Sequence, residues 1–223
     1  MKKVIENYKK PNAFKYGLKI LSPFVEDFSS VVEGGGEVIF VGPDTHKSMK
    51  NDLSTHRLIL VTVEEGGKFE YEESGKGEIN TKSDLYVFLK GSGASVEIKA
   101  RYEISGESKL DILHKVFHEA DNTNSKIETR GIIKDNSRVI YRSDINMKEG
   151  LKNLIGDENA KFLLLSKGAK IDAIPALDIA SREVKSNHSL SISRITDEEL
   201  FYPRSRGISD EAGRELILSG FLS

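Results

Sequence analysis

The chain has no cysteine and no tryptophan. With no thiol there is no disulfide, no cysteine nucleophile, no thiolate metal ligand and no persulfide carrier. A cysteine-free chain suits a reducing compartment, and the cytoplasm is the expected location. Long apolar runs are also missing. Stretches such as LILVTV at 58–63 are far too short to span a bilayer, and MKKVIENYKKPN at the start has basic residues but no apolar run behind them. Neither sign of charge is in excess: 33 Lys and Arg face 35 Asp and Glu, a formal net charge of −2. There is thus no bulk attraction to nucleic acid or an anionic membrane, and neither is expected as a partner. No Asn-Gly or Asp-Gly pair occurs, which leans against a meander of tight hairpins.

What is present is a long β pattern. Short β-branched or aromatic runs recur at 37–41, 57–63, 68–73, 84–90, 95–104, 110–120, 125–133 and 137–145, separated by Gly, Asn, Asp and Ser. Several alternate with period two. Phe69 and Tyr71 share one face, as do Val96, Ile98, Ala100, Tyr102 and Ile104. Helical periodicity is nearly absent between 31 and 195. Many short strands mean a sandwich, a barrel or a solenoid, and the pattern by itself does not choose. No repeat of fixed length is visible, so a solenoid must be irregular. KSMKNDLST at 47–55 reads as a loop between two surface histidines, His46 and His56.

Three segments follow. Residues 1–30 are an N-terminal segment, either a mobile tail or partly helical, with a short helix over Lys2–Lys9 stopped by Pro11. Residues 31–195 are the β core. Residues 196–223 are helical. Thr196-Asp197-Glu198-Glu199 fits a capping box, and Pro203 is expected to kink or end that helix. Ser209 caps a second helix in which Ala212, Leu216 and Ser219 form one stripe, with Gly220 as its C-cap and Phe221 packed back on its end.

Candidate chemistry is sparse. The glycine runs at 33–36 and 91–93 lack the Lys-Ser/Thr of a phosphate loop and read as turns. His114 and His118 are four apart and share a side, which suits a metal, but two histidines are short of a complete site and a structural pair is the favoured reading. His188 lies between strand-like EVKS and SLSIS. No G-x-S-x-G elbow accompanies it, so Ser189, Ser191 and Ser193 do not make it a hydrolase. Arg204 and Arg206, after Phe201 and Tyr202, are placed either to bind an anion or to pin the helical turn to the β core.

One ordered pattern remains. It comprises Arg130-Gly131-Ile132-Ile133-Lys134-Asp135, LLLSKGAKIDAIPALDI at 163–179, His188, and ITDEELFYPRSRGISDEA followed by ILSGF. From Ser125 to the end the sequence resembles the C-terminal core of the SufB/SufD family, subunits of the Suf iron–sulfur cluster assembly complex. The resemblance implies a right-handed parallel β-helix, here an irregular solenoid, with a small C-terminal helical part. It implies that two such subunits, identical or not, pair through their β-helices. It implies a transient iron–sulfur cluster shared with a partner, formed where one subunit offers a cysteine and the other a histidine, and His188 falls on that histidine. It also implies docking of the C-terminal helices on SufC, an ABC-type ATPase, with Leu200, Phe201, Tyr202, Arg204, Arg206, Leu216 and Phe221 as the contact candidates.

The departures from the family pattern are specific. Family members are usually longer, with an N-terminal helical region that has little counterpart here. The SufB branch carries a cysteine at a place near Ala169, where this chain has none. It has His-Glu in place of His188-Ser189, and the SufD branch has Ser-His-Gly in place of Asn187-His188-Ser189. Ser193-Arg194-Ile195 is closer to SufB, so neither branch is assigned.

The expected role is non-enzymatic. Clusters are held mainly by thiolates, so one imidazole with carboxylates such as Asp178 or Glu183 does not hold one alone, and a partner must supply sulfur ligands. Two alternatives stand beside it. One is a purely structural, oligomerising solenoid. The other is a carbohydrate-active β-helix enzyme, which the missing tryptophan and the lack of an evident carboxylate pair disfavour.

Overall fold

The computed structural model describes residues 36–53 and 57–222. The helix expected over 2–9, the glycines at 34 and 35, and His56 lie outside the described residues. Twelve strands follow in chain order: β1 (Gly36–Val41), β2 (His46–Asp52), β3 (Arg57–Val63), β4 (Lys68–Gly77), β5 (Asn80–Leu89), β6 (Ser95–Ile104), β7 (Lys109–His118), β8 (Asn124–Ile133), β9 (Arg138–Met147), β10 (Leu154–Leu164), β11 (Lys170–Ile179) and β12 (Val184–Ser193). Two helices complete the described chain, α1 (Asp197–Ser205) and α2 (Asp210–Leu222).

Consecutive strands do not pair. Odd strands form one six-stranded sheet in the order β1-β3-β5-β7-β9-β11, and even strands form the other in the order β12-β10-β8-β6-β4-β2. The pairings are parallel throughout, for example β5 with β7 and β6 with β8. The chain therefore crosses from one sheet to the other at every strand and advances one rung per two strands, which is a parallel β-helix. The missing hairpin turns follow directly, since a parallel coil has no use for them.

The turns absorb the irregularity that hides the repeat. Asn80 pairs with Lys109, Lys109 with Arg138 and Arg138 with Lys170, while Lys68 pairs with Ser95, Ser95 with Asn124 and Asn124 with Ile155. At one corner the left-handed backbone position is held in successive rungs by Gly66, Gly93, Asn122 and Asn153. Gly and Asn are the residues that adopt this conformation at least cost. The corners stack: Gly66 N–H donates to Ser92 O at 2.9 Å and Asn122 N–H to Lys152 O at 2.9 Å. Asn122 Nδ2 reaches Ser92 Oγ and Asn153 Nδ2 reaches Asn122 Oδ1, each at 3.0 Å, giving a short side-chain ladder.

Strand alternation sorts the side chains. Phe69 and Tyr71 point inward and stack with ring centroids 6.3 Å apart, and the whole Val96-to-Ile104 face is buried. The interior holds two apolar strips. One includes Ile59, Val87, Ile98 and Met147, and the other Ile104, Leu110, Val139 and Phe162. Outward charges pair from rung to rung, as in Lys126–Glu97 at 3.1 Å, Lys134–Glu103 at 2.7 Å and Arg101–Glu128 at 2.6 Å. This explains how a chain that is 30% charged still folds as sheets.

Residues 47–52 of the segment read as a loop after His46 belong to strand β2. Its polar sequence hid it. β2 ends its sheet, so its outward side needs only charge pairing: His46 meets Glu70 at 3.2 Å and Lys50 meets Glu72 at 2.6 Å.

The expected capping box is formed. Thr196 Oγ1 accepts from Glu199 N, and Glu199 Oε2 accepts from Thr196 N at 2.8 Å. Pro203 lies inside α1, which ends two residues later at Ser205. Ser209 Oγ accepts from Ala212 N at 3.3 Å at the start of α2. Its exposed side carries Ala212, Leu216 and Ser219, while Gly213 is buried and Ile217, Leu218, Phe221 and Leu222 are half-buried. One expectation for α2 is corrected. Gly220 is not a C-cap, because the helix continues to Leu222. Its last carbonyls are instead taken by β-sheet arginines: Arg130 Nη1 donates to Phe221 O at 2.8 Å and Arg101 Nε to Leu222 O at 2.9 Å. Two guanidinium groups at the negative end of the helix dipole fasten α2 to the outer face of β6 and β8.

Candidate functional site

The β-helix interior is not wholly apolar. A seam of polar side chains lies between the two strips and gathers at two buried carboxylates. Glu73, on β4, is 1% exposed. Its Oε2 accepts from Tyr71 Oη at 2.7 Å, Ser83 Oγ at 2.5 Å and Asn51 Nδ2 at 3.2 Å. Its Oε1 accepts from Tyr102 Oη at 2.5 Å and lies 3.6 Å from His114 Nε2. Burial alone raises a carboxyl pKa. Burial is the largest single influence on Glu73, but the His114 imidazole and the Ser83 and Tyr102 hydroxyls together outweigh it and carry the carboxyl down to about 2. The tyrosines respond oppositely: burial first, then the neighbouring Glu73 charge, raises Tyr71 and Tyr102, so both remain neutral donors.

Glu158, on β10, is the second carboxylate and is also 1% exposed. Its Oε1 accepts from Tyr141 Oη at 3.3 Å and from Ser143 Oγ. Thr129 Oγ1 donates to Tyr141 Oη at 3.1 Å. Burial and then the Glu158 charge raise the Tyr141 phenol. The other oxygen, Oε2, faces His188 Nε2 at 3.8 Å. Between the two carboxylates, the rings of His114 and Tyr141 meet edge-on with centroids 6.1 Å apart.

His188 stands on β12, directly in register with Glu158. β12 ends one sheet and β11 ends the other, so each lacks a neighbour on its outer edge among the described residues. The imidazole is a quarter exposed. On these two terminal strands Ile174, Ile179, Leu190 and Ile192 are exposed apolar residues. The last rung is therefore an open end, with one histidine backed by a buried carboxylate.

His114 and His118 are buried in the β-helix. His118 is buried, with Nδ1 2.8 Å from Thr123 Oγ1 and Nε2 2.8 Å from Ser125 Oγ, and burial pushes its pKa down to about 4. His114 and His118 thus share a face as expected, but each has its own partners. Among the described residues, no group of three or more His, Cys, Asp or Glu is arranged to hold a metal ion. The carboxylates considered beside His188 in the sequence are not its neighbours: Asp178 accepts from Asn146 Nδ2 at 2.7 Å, and Glu183 is exposed. Ala169, near where the resemblance to SufB implies a cysteine, is 3% exposed within an apolar strip.

The C-terminal candidates separate by environment. Leu200 is 1% exposed and lies beside Gly213, and Phe221 is half-buried. Arg204 binds Asp210 through Nε at 2.5 Å and Nη2 at 2.7 Å. That contact is the main reason its pKa rises and that of Asp210 falls. Arg206 lies over the Tyr202 ring at 5.5 Å. Phe201 at 69%, Tyr202 at 66% and Leu216 at 64% are open apolar side chains on the two helices.

Glu158 and Glu73 were both missed in the sequence. The signal was available in phase: Leu154, Gly156, Glu158, Ala160 and Phe162 alternate on one side of β10, so Glu158 falls among inward positions.

The family profile described as "SUF system FeS cluster assembly, SufBD core domain" matches residues 28–221. The chain belongs to the SufBD core family. An iron–sulfur cluster assembly SufBD family protein of Staphylococcus saprophyticus is 29% identical over 172 residues, covering 77% of this chain and 36% of that protein. Counterparts from Staphylococcus epidermidis and Staphylococcus aureus are 29% identical over 160 and 161 residues, each covering 72% of this chain and 34% of the relative. The chain thus spans about a third of the length of the curated relatives it matches. A SufBD core on a parallel β-helix agrees with the resemblance read from the C-terminal motifs. No helix among the described residues is long and apolar enough to cross a membrane.

Proposed function

We propose that this chain is a non-catalytic scaffold subunit in iron–sulfur cluster assembly, working in the cytoplasm with a SufC-type ABC ATPase and a second SufB/SufD-type subunit. The observation that carries the reading is His188: a partly exposed imidazole on the terminal rung, backed by a buried carboxylate, in a SufBD core. Unpaired edges at β11 and β12 offer backbone donors and acceptors, so a second β-helix continues the sheets and brings its own residues up to His188. Thiolates come from that partner or from the sulfur source, because this chain has none. The nascent cluster is cargo, held only in the assembled complex.

His188→Ala is expected to leave folding intact, since the side chain is a quarter exposed on a strand that ends its sheet. Cluster formation with the ATPase and a cysteine-bearing subunit should drop at least about tenfold, the scale on which a lost ligand or its support acts. The readout is anaerobic reconstitution followed by visible absorbance. Full assembly activity in this variant removes His188 from the site and leaves the purely structural reading, which the lack of cysteine otherwise favours.

The ATPase contact is assigned to the open face of the helical end. Of the seven residues named from the sequence, Phe201, Tyr202 and Leu216 are the anchors, because Leu200 is already buried and Arg204 is already paired. The triple variant F201A/Y202A/L216A should lose SufC capture by at least about a hundredfold while keeping its melting temperature within a few degrees. Unchanged capture moves the contact elsewhere on the chain.

A further inference from the structure

The two buried carboxylates are built alike. Each receives a tyrosine hydroxyl and a serine hydroxyl on one oxygen and turns the other toward a histidine: Tyr71, Ser83 and His114 around Glu73, and Tyr141, Ser143 and His188 around Glu158. In the first set the imidazole is fully buried. In the second it stands at the open end. The second set therefore has the form of a sealed structural unit with one member exposed.

Within that set the two oxygens of Glu158 are not equivalent. Oε1 already has two donors, Tyr141 and Ser143. Oε2 has one polar neighbour given by the geometry, His188 Nε2. A carboxylate locked in this way presents a fixed negative oxygen to one ring nitrogen. At 3.8 Å the contact is longer than a hydrogen bond, yet a negative oxygen there favours the neutral imidazole that carries its proton on Nε2, which leaves the Nδ1 lone pair free. The free lone pair is the one available to coordinate a soft or borderline metal ion at the exposed end.

We propose that Glu158 is the positioning residue for His188: its Oε2 selects the Nε2–H tautomer and fixes the ring so that Nδ1 faces the terminal edge as the ligating atom. The inference rests on the reading of His188 as the cluster-side ligand, and it adds the chemistry that makes one nitrogen the donor. The carboxylate acts through the imidazole and does not itself touch the cluster. Ser143 and Tyr141 are its supports, because by filling Oε1 they leave Oε2 for the histidine.

The test uses the full chain and reads the ring directly. Nitrogen-15 NMR of His188 at a pH where the imidazole is neutral should show the Nε2–H form in clear excess. In E158Q the amide keeps an oxygen for Ser143 and Tyr141 but offers His188 an N–H donor, so the Nε2–H excess should vanish or reverse. E158D keeps the charge, withdraws the oxygen by one methylene and should give an intermediate population. It also serves if E158Q does not fold. E73Q is the internal control and should leave the His188 tautomer unchanged. An unaltered His188 tautomer in both Glu158 variants, or no Nε2–H excess in the parent, overturns the inference.

Reconstitution of the complex then separates this inference from the reading beneath it. If E158Q lowers assembly about 10–100-fold with folding retained, as loss of an outer-shell carboxylate does, both stand. If H188A abolishes assembly and E158Q does not, the positioning role falls and the scaffold reading survives. If neither variant affects assembly while the tautomer still follows residue 158, the scaffold reading falls and the pairing remains as a structural fact.

Discussion

Glu73→Ala is expected to destabilise the protein by about 3–5 kcal/mol, the range found when one partner of a buried charge network is removed. Five groups converge on this carboxylate, and of these Asn51 Nδ2 has a second acceptor in Tyr71 Oη at 2.9 Å. Alanine leaves the Tyr71, Tyr102 and Ser83 hydroxyls and the Asn51 amide inside the β-helix without their shared partner, beside the His114 ring. Each orphaned donor costs about 1–3 kcal/mol, partly recovered by rearrangement. Denaturant unfolding reads the loss as a shift in midpoint. A change below about 1 kcal/mol would show that water or a repacked side chain replaces the carboxylate without penalty.

The same residue sets an acid limit. Glu73 in the folded protein titrates at about 2, against an ordinary 4.5. A carboxyl with a depressed folded pKa is charged in the fold where the unfolded chain has already taken up a proton. Its contribution is therefore complete above about pH 4.5 and is lost as pH falls from there towards 2, on the order of 3 kcal/mol in all. In E73Q that part of the pH dependence should be absent, so parent and variant curves converge as pH approaches 2. Parallel curves would mean that Glu73 does not carry the acid response.

The two carboxylates also mark where sequence reading stops. Periodicity alone placed Phe69, Tyr71 and the Val96–Ile104 face inward, and they are. The phase that puts Tyr71 inside also puts Glu73 inside, because residues i and i+2 share a face. The usual assignment of charge to solvent argues the other way, and only three-dimensional contacts with Ser83, Tyr102 and His114 resolve the conflict. Glu158 is the same case. Its partners come from β9 and β12, and no spacing along the chain announces them. β2 failed for the opposite reason, since its polar composition concealed a strand at the end of a sheet. The capping box at Thr196 was legible because its chemistry is contained in four consecutive residues. The Arg101 and Arg130 clamp on α2 was not, because it joins residues about ninety or more positions apart. The solenoid itself was legible through the C-terminal motifs more than through any repeat, since the corners vary in length.

Gly91→Ala should be the most damaging single methyl group in the β-helix, at about 3 kcal/mol or more. A Cβ built at Gly91 falls 1.9 Å from Glu65 N and 2.3 Å from the carbonyl carbon of Glu64. Those atoms are backbone of the preceding rung, so no side-chain rotation relieves the clash and the rungs must separate. Gly77 is the comparison: its φ of +86° strains an alanine, yet a Cβ there meets nothing within 4 Å. Gly77→Ala should therefore cost only the left-handed backbone penalty, about 1–2 kcal/mol. Because each rung of a solenoid touches mainly its neighbours, the damage at Gly91 should also stay local. Hydrogen exchange is expected to show lost protection in β3 and β5 while β8, β10 and β12 keep theirs, leaving the Glu158–His188 pair in place at the far end. Uniform loss of protection through all rungs would instead make the β-helix a single cooperative unit, and a destabilising change anywhere along it would then reach the terminal histidine.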